Sequence, residues 1–436
     1  MMAEQQTSQY AFQALLSNLY MKADGEAALQ RIKAKAWDHF LELGLPTRQD
    51  EVYRYVRLRS LYARQFAHSI SKKLAKEAIA PYILPECTQS VLVFVNGYFT
   101  PSLSNMDALP KKIVVSTIAQ SMQTFGGFLN SQWSKSLKEE RDPFAALNMA
   151  LQQEGIFFYA PPKTVIEVPV QLLNVIDADA DPMFINPRLQ AFVGSQSQLS
   201  LVSTLAVLSG QQYAINMFTD LALEDEAHVK CTQVACGQEG IWHFDALRAS
   251  LKRNSSLKVI AATDGAETVR YDYRVSLNGE NAEALLNGVW LLKGKKEAHT
   301  HVLMDHQAPY CRSMQLYKGV LNDVSRSSFE GKILVQQAAQ KTEAFQLNNN
   351  LLLSERANAD SKPNLEIFAD DVKASHGATV GQLDKEQIFY MKTRGFHESA
   401  AKNLLINGFC QEVIDMVPIE SLRQDLKKLS ENYLTL

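Results

Sequence analysis

The spacing of apolar residues divides the chain into three parts, and the first part is predicted to be mostly helical. Apolar residues recur near the helical period from Ala27 to Leu43. Asp142-Pro143 opens another helix, because proline is tolerated at the first helical position. The apolar run Val91–Val95, followed by Asn96-Gly97, predicts a short strand that ends in a turn. We therefore predict a mostly helical N-terminal domain over residues 1–155.

Residues 156–383 show many short β-like segments and no long helical pattern. The segments include 164–168, 198–202, 228–234, 257–261 and 269–275. Leu201, Val229, Leu257 and Leu285 lie 28 residues apart, a weak sign of a repeat. This pattern is typical of a stacked β-solenoid or a large sandwich. Asn348-Asn349-Asn350 fits an asparagine ladder between stacked turns, although a polar loop explains it equally well.

The helical period returns after residue 383. Asp384 is placed to cap a helix, with Gln387 three residues later in a variant of the capping box. A second helix is predicted from Glu398 to Met416. Residues 384–436 therefore form a small C-terminal helical domain, whose apolar surface needs either the solenoid or a partner protein to pack on.

Composition narrows the class of protein. The 436 residues are 46% hydrophobic and 21% charged, as in ordinary globular proteins. The net charge of −3 argues against a dedicated nucleic-acid binder. Five scattered cysteines favour a reducing cytoplasm over a disulfide framework. The N-terminus has no secretion signal pattern, and the uncharged stretch 189–219 is too rich in Gln and Ser to span a membrane.

Two motifs of common enzyme and metal sites are incomplete. Gly294-Lys295-Lys296 lacks the leading glycine and the Ser/Thr of a phosphate-binding loop, so ATP would have to be bound by another chain. Cys231 and Cys236 have the wrong spacing for a zinc ribbon, which favours inert buried thiols.

His299-Thr300-His301, with Asp305 and His306, is the most metal-like cluster. In a strand, residues 299 and 301 point to the same face and could share one ion. One hypothesis is therefore a stand-alone, cupin-like metalloenzyme that uses His299, His301 and His306. The favoured interpretation is that these are polar residues on a solenoid face, hydrogen-bonded to neighbouring turns.

His376 lies where the β region ends, next to Gly377. Neutral imidazole is a good ligand for iron or zinc. A single histidine in such a position is more often structural than not, so the residue alone does not define a site.

Several ordered blocks spread over nearly the whole chain resemble the SufB/SufD family of iron–sulfur cluster assembly proteins, and within it the SufD branch. The blocks are LGLPTR at 43–48, VFVNGYF at 93–99, DPFAALN at 142–148, HTH at 299–301, KGV at 318–320, SRSSFEG at 325–331, LEIFADD at 365–371 and SHGAT at 375–379. The pairs Phe389-Tyr390 and Arg394-Gly395 follow them.

The resemblance implies a fold and a role. The fold is a right-handed parallel β-helix between N-terminal and C-terminal helical domains. The role is that of a non-catalytic scaffold subunit, which pairs with a SufB-like subunit, docks a SufC-like ATPase and works with a sulfur donor and cluster carriers. Iron or an iron–sulfur cluster would be held transiently and shared with the partner, with none tightly bound in the isolated chain. A homodimer in isolation, and a purely structural subunit that ligates nothing, stay open.

The resemblance also implies site residues. His376, in the S-H-G-A-T block, corresponds to a proposed iron or cluster ligand at the SufB-like interface. Ala374 stands where the family often has a cysteine, so the sulfur ligands are expected from the partner. Docking of the ATPase is expected at the C-terminal helices, through Phe389, Tyr390, Arg394 and Phe396.

Overall fold

The fold is known from a computed structural model that describes residues 2–22, 27–178, 181–210 and 212–434. Its α-helices are α1 (Met2–Lys22), α2 (Ala27–Leu43), α3 (Arg59–Tyr62), α4 (Lys76–Ile79), α5 (Ile118–Glu139), α6 (Pro143–Leu151), α7 (Lys385–Thr393), α8 (Glu398–Ile414) and α9 (Glu420–Glu431). Three short 3-10 helices lie at Glu51–Tyr53, Ala80–Tyr82 and Pro85–Cys87. Its strands are β1 (Ala67–His68), β2 (Val91–Val95), β3 (Tyr98–Phe99), β4 (Val114–Thr117), β5 (Ile156–Ala160), β6 (Val170–Asp177), β7 (Met183–Ile185), β8 (Arg188–Val193), β9 (Gln198–Ser209), β10 (Tyr213–Leu223), β11 (His228–Cys236), β12 (Ile241–Leu251), β13 (Ser256–Gly265), β14 (Thr268–Leu277), β15 (Glu283–Leu292), β16 (Glu297–His306), β17 (Arg312–Leu321), β18 (Arg326–Val335), β19 (Glu343–Leu352), β20 (Asn358–Ile367) and β21 (Lys373–Gly381).

From β8 onwards, successive strands alternate between two sheets, and they build a β-solenoid of about eight turns. Sheet A runs in the order β20-β18-β16-β14-β12-β10-β8-β5-β4, and sheet B in the order β21-β19-β17-β15-β13-β11-β9-β6-β2-β3. Neighbouring turns pair in parallel, as in β14 with β16 and β19 with β21. The prediction of a mainly β solenoid with helices at both termini is confirmed.

One predicted strand is absent. Residues 164–168 form no strand, and Val165 makes only an isolated bridge with Gln198. Pro161-Pro162 precedes this segment and Pro169 follows it. Because proline has no backbone N–H to donate to a ladder, the apolar pattern here does not become a strand.

The repeat is real but its length varies. Val229 pairs with Leu257, as the 28-residue spacing predicts. Leu201 pairs instead with Cys231, and Leu285 pairs with Lys258. The spacing prediction is therefore right for one step and wrong for the two others, because the turns that join the strands differ in length.

Aromatic rings fill the middle of the solenoid. The ring centroids are 5.2 Å apart for Tyr271 and Trp290, 6.0 Å for Trp290 and Tyr317, and 5.0 Å for Tyr317 and Phe329. Gly288 leaves room for this stack, since a Cβ there would lie 2.6 Å from the ring of Tyr317. The glycine in this strand is thus explained by close packing.

The N-terminal helices cover the outer face of sheet A. Helix α2 has the predicted bounds. Asp142 caps α6 as predicted, since its carboxylate accepts from the backbone N–H of Phe144 at 2.9 Å. The Phe144 ring then stacks on Phe244 of the solenoid at 4.2 Å. Strands β2 and β4 from this same part of the chain extend the two sheets, so the proposed division at residue 155 stays a prediction.

The C-terminal helices α8 and α9 pack on the outer face of sheet B. Cys410 and Val413 of α8 share one apolar cluster with Ile260 and Val289 of the solenoid. Lys318 Nζ donates to the Phe409 carbonyl at 2.9 Å. The predicted need for a packing surface is thus met by the side of the solenoid for these two helices. In the described residues, no helix is both long and apolar enough to cross a membrane.

Candidate metal-ligand site at the open end of the solenoid

The last turn of the solenoid is an open end. Strands β20 and β21 are the outermost strands of sheets A and B. An outermost strand leaves a row of backbone N–H and C=O groups unpaired, which another chain can use. Apolar side chains near this end are also exposed: Phe368 is 62% exposed, and Ile367 and Val380 are exposed as well. This combination is typical of a surface that pairs with another protein.

His376 lies on β21, at the mouth of this open end. Its neighbour two residues back, Ala374, packs against the solenoid core, and alternation along a strand places residue 376 on the same inward face. His376 is nevertheless exposed, because β21 belongs to the last turn. Among the described residues, no side chain forms a hydrogen bond or an ion pair with its imidazole. Neither ring nitrogen is therefore engaged by another side chain of the described residues.

A column of buried polar side chains lies behind His376. Gln346 pairs in register with His376, and Gln315 pairs with Gln346 one turn earlier. Gln346 Nε2 donates to Gln315 Oε1 at 3.1 Å. Asn350 Nδ2 donates to Asn348 Oδ1 at 2.8 Å, so these asparagines line the inside of the solenoid rather than a polar loop.

The sequence reasoning missed the two glutamines of this column. The available signal was alternation: residues 346, 348 and 350 are polar on the same face of the strand as Ala344, which belongs to the apolar core. The solenoid interior is therefore aromatic in the middle and amide-rich next to the open end.

His299 and His301 lie in a different environment. Both are on the outer face of β16 and buried. His299 Nδ1 lies 2.8 Å from Ser328 Oγ, and its Nε2 lies 3.1 Å from Glu297 Oε2. His301 Nδ1 lies 2.5 Å from Asp272 Oδ1. Since Ser328 and Asp272 belong to the adjacent strands, the two histidines are held between neighbouring turns, in agreement with the favoured interpretation.

His306 does not join them. It lies on the inward face of β16, where its Nε2 is 2.9 Å from Ser313 Oγ. Burial lowers the pKa of His306 to about 4, so its imidazole is neutral. The three histidines of the cupin-like hypothesis thus lie on two faces of the strand. Within the described part of the chain, no group of three or more His, Cys, Asp or Glu side chains is arranged to hold a metal ion.

A buried charge network surrounds His301. The Asp272 carboxylate lies 2.5 Å from Arg248 Nη2, and Arg248 Nε also lies 2.8 Å from Glu140. Arg274 Nη1 lies 3.1 Å from Glu140. Burial by itself would raise the pKa of the Glu140 carboxyl, but the two arginines outweigh it and lower the value to about 2. The network joins the end of α5 to the solenoid and explains the polar residues there as structural.

The predicted docking residues are exposed. Phe389 is 69% and Tyr390 58% exposed on α7, which has no buried residue. Phe396 is also exposed, and the Arg394 guanidinium lies 5.1 Å from the centre of the Tyr390 ring. Phe389 and Tyr390 thus lie on the one C-terminal helix whose side chains are all at least partly exposed, and Arg394 and Phe396 follow that helix directly.

The five cysteines are free thiols. Cys231 is buried and burial raises its pKa, as expected of an inert thiol. Cys236 is exposed, so the prediction that both thiols are buried is wrong for this residue. It is the last residue of strand β11.

The fold is a two-sheet β-solenoid with an open last turn, flanked by helices. Comparison with known proteins places the chain more narrowly. The family model described as the SufBD core domain of SUF system FeS cluster assembly matches residues 175–409, and the model of the SufBD protein N-terminal region matches residues 4–172. The chain therefore belongs to the SufB/SufD family of iron–sulfur cluster assembly proteins, which confirms the resemblance read from the sequence.

Individual relatives agree with this assignment. The chain is 30% identical to an iron–sulfur cluster assembly SufBD family protein of Synechocystis sp., over 95% of this chain and 93% of the relative. It is 26% identical to the iron–sulfur cluster assembly protein SufD of Escherichia coli, over 88% of each chain. It is 23% identical to the chloroplastic protein ABCI7 of Arabidopsis thaliana, over 95% of this chain and 88% of the relative. The chain is thus a SufD-like member of the family.

Proposed function

We propose that this SufD-like protein is a non-catalytic scaffold subunit, which pairs with a SufB-like subunit through the open end of its solenoid and contributes His376 to iron or a nascent iron–sulfur cluster. The observation that carries the proposal is the exposure of an inward-facing, unpartnered histidine on the outermost strand of sheet B. The cluster is cargo: a sulfur donor would supply its sulfur, and carriers would remove the finished cluster.

Backbone and apolar groups both support pairing at this end. The free edges of β20 and β21 can each accept a strand of a second solenoid. Burying Phe368, Ile367 and Val380 would remove apolar surface from water at the same place. The ligand and the interface would then form together.

The chemistry of iron explains why a partner is required. Iron–sulfur clusters are held mainly by thiolates, and an imidazole can replace one of them. Ala374 offers no sulfur beside His376. The thiolates therefore come from the SufB-like subunit, and neither chain holds the cluster alone.

The C-terminal helices provide the second docking surface. Helices α8 and α9 are fixed to sheet B, while Phe389 and Tyr390 of α7 face solvent. An apolar helical surface of this kind fits a groove in a partner protein. Because the chain has no phosphate-binding loop, ATP would be bound and hydrolysed by a SufC-like ATPase docked there.

One experiment tests both surfaces. The chain is co-expressed with SufB-like and SufC-like partners, purified without oxygen, and assayed for iron, sulfide, visible absorbance and subunit content. We expect the His376→Ala complex to keep all three subunits. Its cluster content is expected to fall by about tenfold or more, because an iron ligand is removed. We expect Phe389→Ala to weaken retention of the ATPase and to keep the SufB-like subunit, because a large apolar contact is lost.

His228→Ala is the matched control, since His228 is another exposed histidine on the solenoid. Normal cluster content in His376→Ala would remove His376 from the site and favour a purely structural subunit. A stoichiometric, tightly bound ion in the isolated chain would instead revive the stand-alone metalloenzyme hypothesis.

A further inference from the structure

The side chain directly behind His376 has an unused hydrogen-bond acceptor. Gln346 and His376 are register partners on adjacent parallel strands. Register partners lie on the same face, and adjacent strands are about 4.8 Å apart. Both side chains point into the solenoid, Gln346 one turn deeper than His376. The Gln346 amide is thus the polar group that underlies the histidine.

The hydrogen bonds of Gln346 define which of its atoms is free. Its Nε2 donates to Gln315 Oε1 at 3.1 Å. Its Oε1 is buried and accepts no hydrogen bond among the described residues. A buried carbonyl oxygen without a donor is costly, so such groups almost always find a partner. The available donor on the next turn is the imidazole of His376.

The protein backbone makes room for this glutamine. A Cβ at Gly331, on the opposite sheet, would lie 2.0 Å from Gln346 Nε2. The amide therefore extends across the solenoid over a residue that has no side chain. This contact and the hydrogen bond to Gln315 hold the amide from two sides, which leaves its oxygen in a fixed place.

We propose that Gln346 is a positioning residue for His376: its Oε1 accepts the N–H of one imidazole nitrogen, which leaves the other nitrogen unprotonated and directed out of the open end. Histidines that bind metal usually donate their second N–H to a carbonyl or carboxylate, which fixes both the tautomer and the ring orientation. The inference rests on the proposed function for its purpose, although the hydrogen bond itself can be measured without iron.

The test is the tautomer ratio of His376 in the full chain without metal. Histidine is labelled with ¹⁵N, two-bond ¹H–¹⁵N spectra are recorded at pH 8, and the His376 signals are assigned by their loss in His376→Gln. We expect one tautomer to dominate in the wild type. We expect Gln346→Leu to change the ratio by about fivefold, the effect of losing one ordinary hydrogen bond.

Two further variants separate positioning from packing. Gln346→Glu keeps an acceptor oxygen and is expected to keep the dominant tautomer. Asn349→Ala is the matched control, because Asn349 carries an amide on the outward face of the same strand, where it accepts from Thr379 Oγ1 at 2.8 Å. It is expected to leave the ratio unchanged. If Gln346→Leu does not fold, Gln346→Met replaces it.

The outcomes separate this inference from the proposed function. A ratio that changes less than twofold in Gln346→Leu or Gln346→Met would overturn the positioning role, whatever His376→Ala does to the cluster. An equal change in Asn349→Ala would overturn it as well. If the tautomer ratio shifts in Gln346→Leu while His376→Ala has normal cluster content, the hydrogen bond stands and only the ligand role of His376 is rejected.

Discussion

Histidines in the middle of sheet A and in the last turn of sheet B lie in opposite environments. His299 and His301 are buried, and their ring nitrogens contact Glu297, Ser328 and Asp272. His376 is exposed and forms no such contact within the described residues. All three are strand residues of a repeating fold, so local structure does not distinguish them. The difference is whether a further layer of the protein covers the strand.

In sheet A, where the N-terminal helices cover the strands, buried charges need partners of opposite sign. Arg270 is buried and the Arg248 side chain is only 14% exposed. Both charges are tolerated because Glu140, Asp142 and Asp272 surround them. At the open end no such compensation is needed, since His376 is solvated. The same repeating strand thus carries a structural network where the N-terminal helices cover it, and a proposed ligand site where nothing in the described chain covers it.

The largest expected effect is in the covered network. Asp272→Asn removes a buried negative charge beside Arg248, Arg270 and Arg274. Breaking a buried ion pair typically costs about 3–5 kcal/mol, because the remaining charges stay buried. We expect a loss of this size in urea unfolding followed by the fluorescence of the buried tryptophans.

Asp225→Asn is the control for that loss. Asp225 faces Arg253 at 3.6 Å on the surface, and both side chains are exposed. An exposed pair contributes only about 0–1 kcal/mol. If Asp272→Asn and Asp225→Asn lowered the free energy of unfolding equally, burial under the N-terminal helices would not be what makes the Asp272 network important.

The second effect concerns pH and the interior of the solenoid. The pKa of His306 is about 4 in the folded chain, against an ordinary value of 6.5. Between these values the unfolded state binds more protons, so the free energy of unfolding falls as the pH falls through this window. From pH 7 to pH 5 we expect His306 to account for about 2 kcal/mol of lost stability.

His306→Gln is expected to remove that part of the pH dependence. The measurement is urea unfolding of the wild type and the variant at pH 7 and pH 5. His228→Gln, at an exposed histidine, should follow the wild type. An unchanged slope in His306→Gln would mean that a different group titrates.

The smallest effects compare the two kinds of histidine directly. His299→Ala leaves the buried Ser328 Oγ and Glu297 Oε2 without the imidazole that they contact, and we expect it to cost about 1–2 kcal/mol. His376→Ala changes an exposed side chain and should stay within about 0.5 kcal/mol. Thermal unfolding of the two variants and the wild type measures both losses of stability. A larger loss for His376→Ala would indicate a structural role and weaken the proposed ligand role.

Local signals in the chain were sufficient for much of the architecture. The period of apolar residues gave α2 with its observed bounds, and Asp142 and Asp384 gave the two helix starts, since a side-chain cap depends on neighbouring residues only. The same reasoning failed at residues 164–168, where prolines on both sides override an apolar pattern. It also missed that Cys236 lies at an exposed strand end.

The class of fold, the helices at both termini and the family follow from the linear chain, because periodicity and long ordered blocks are visible in it. Which polar residues meet depends on how the turns of the solenoid stack. Gln315, Gln346 and His376 come from three different turns, and they form a column because parallel strands stack in register. His306 is separated from His299 and His301 because the two opposite faces of the strand belong to different environments. Such contacts depend on the strand register and on which elements pack over each strand, and neither can be read from a local stretch of sequence.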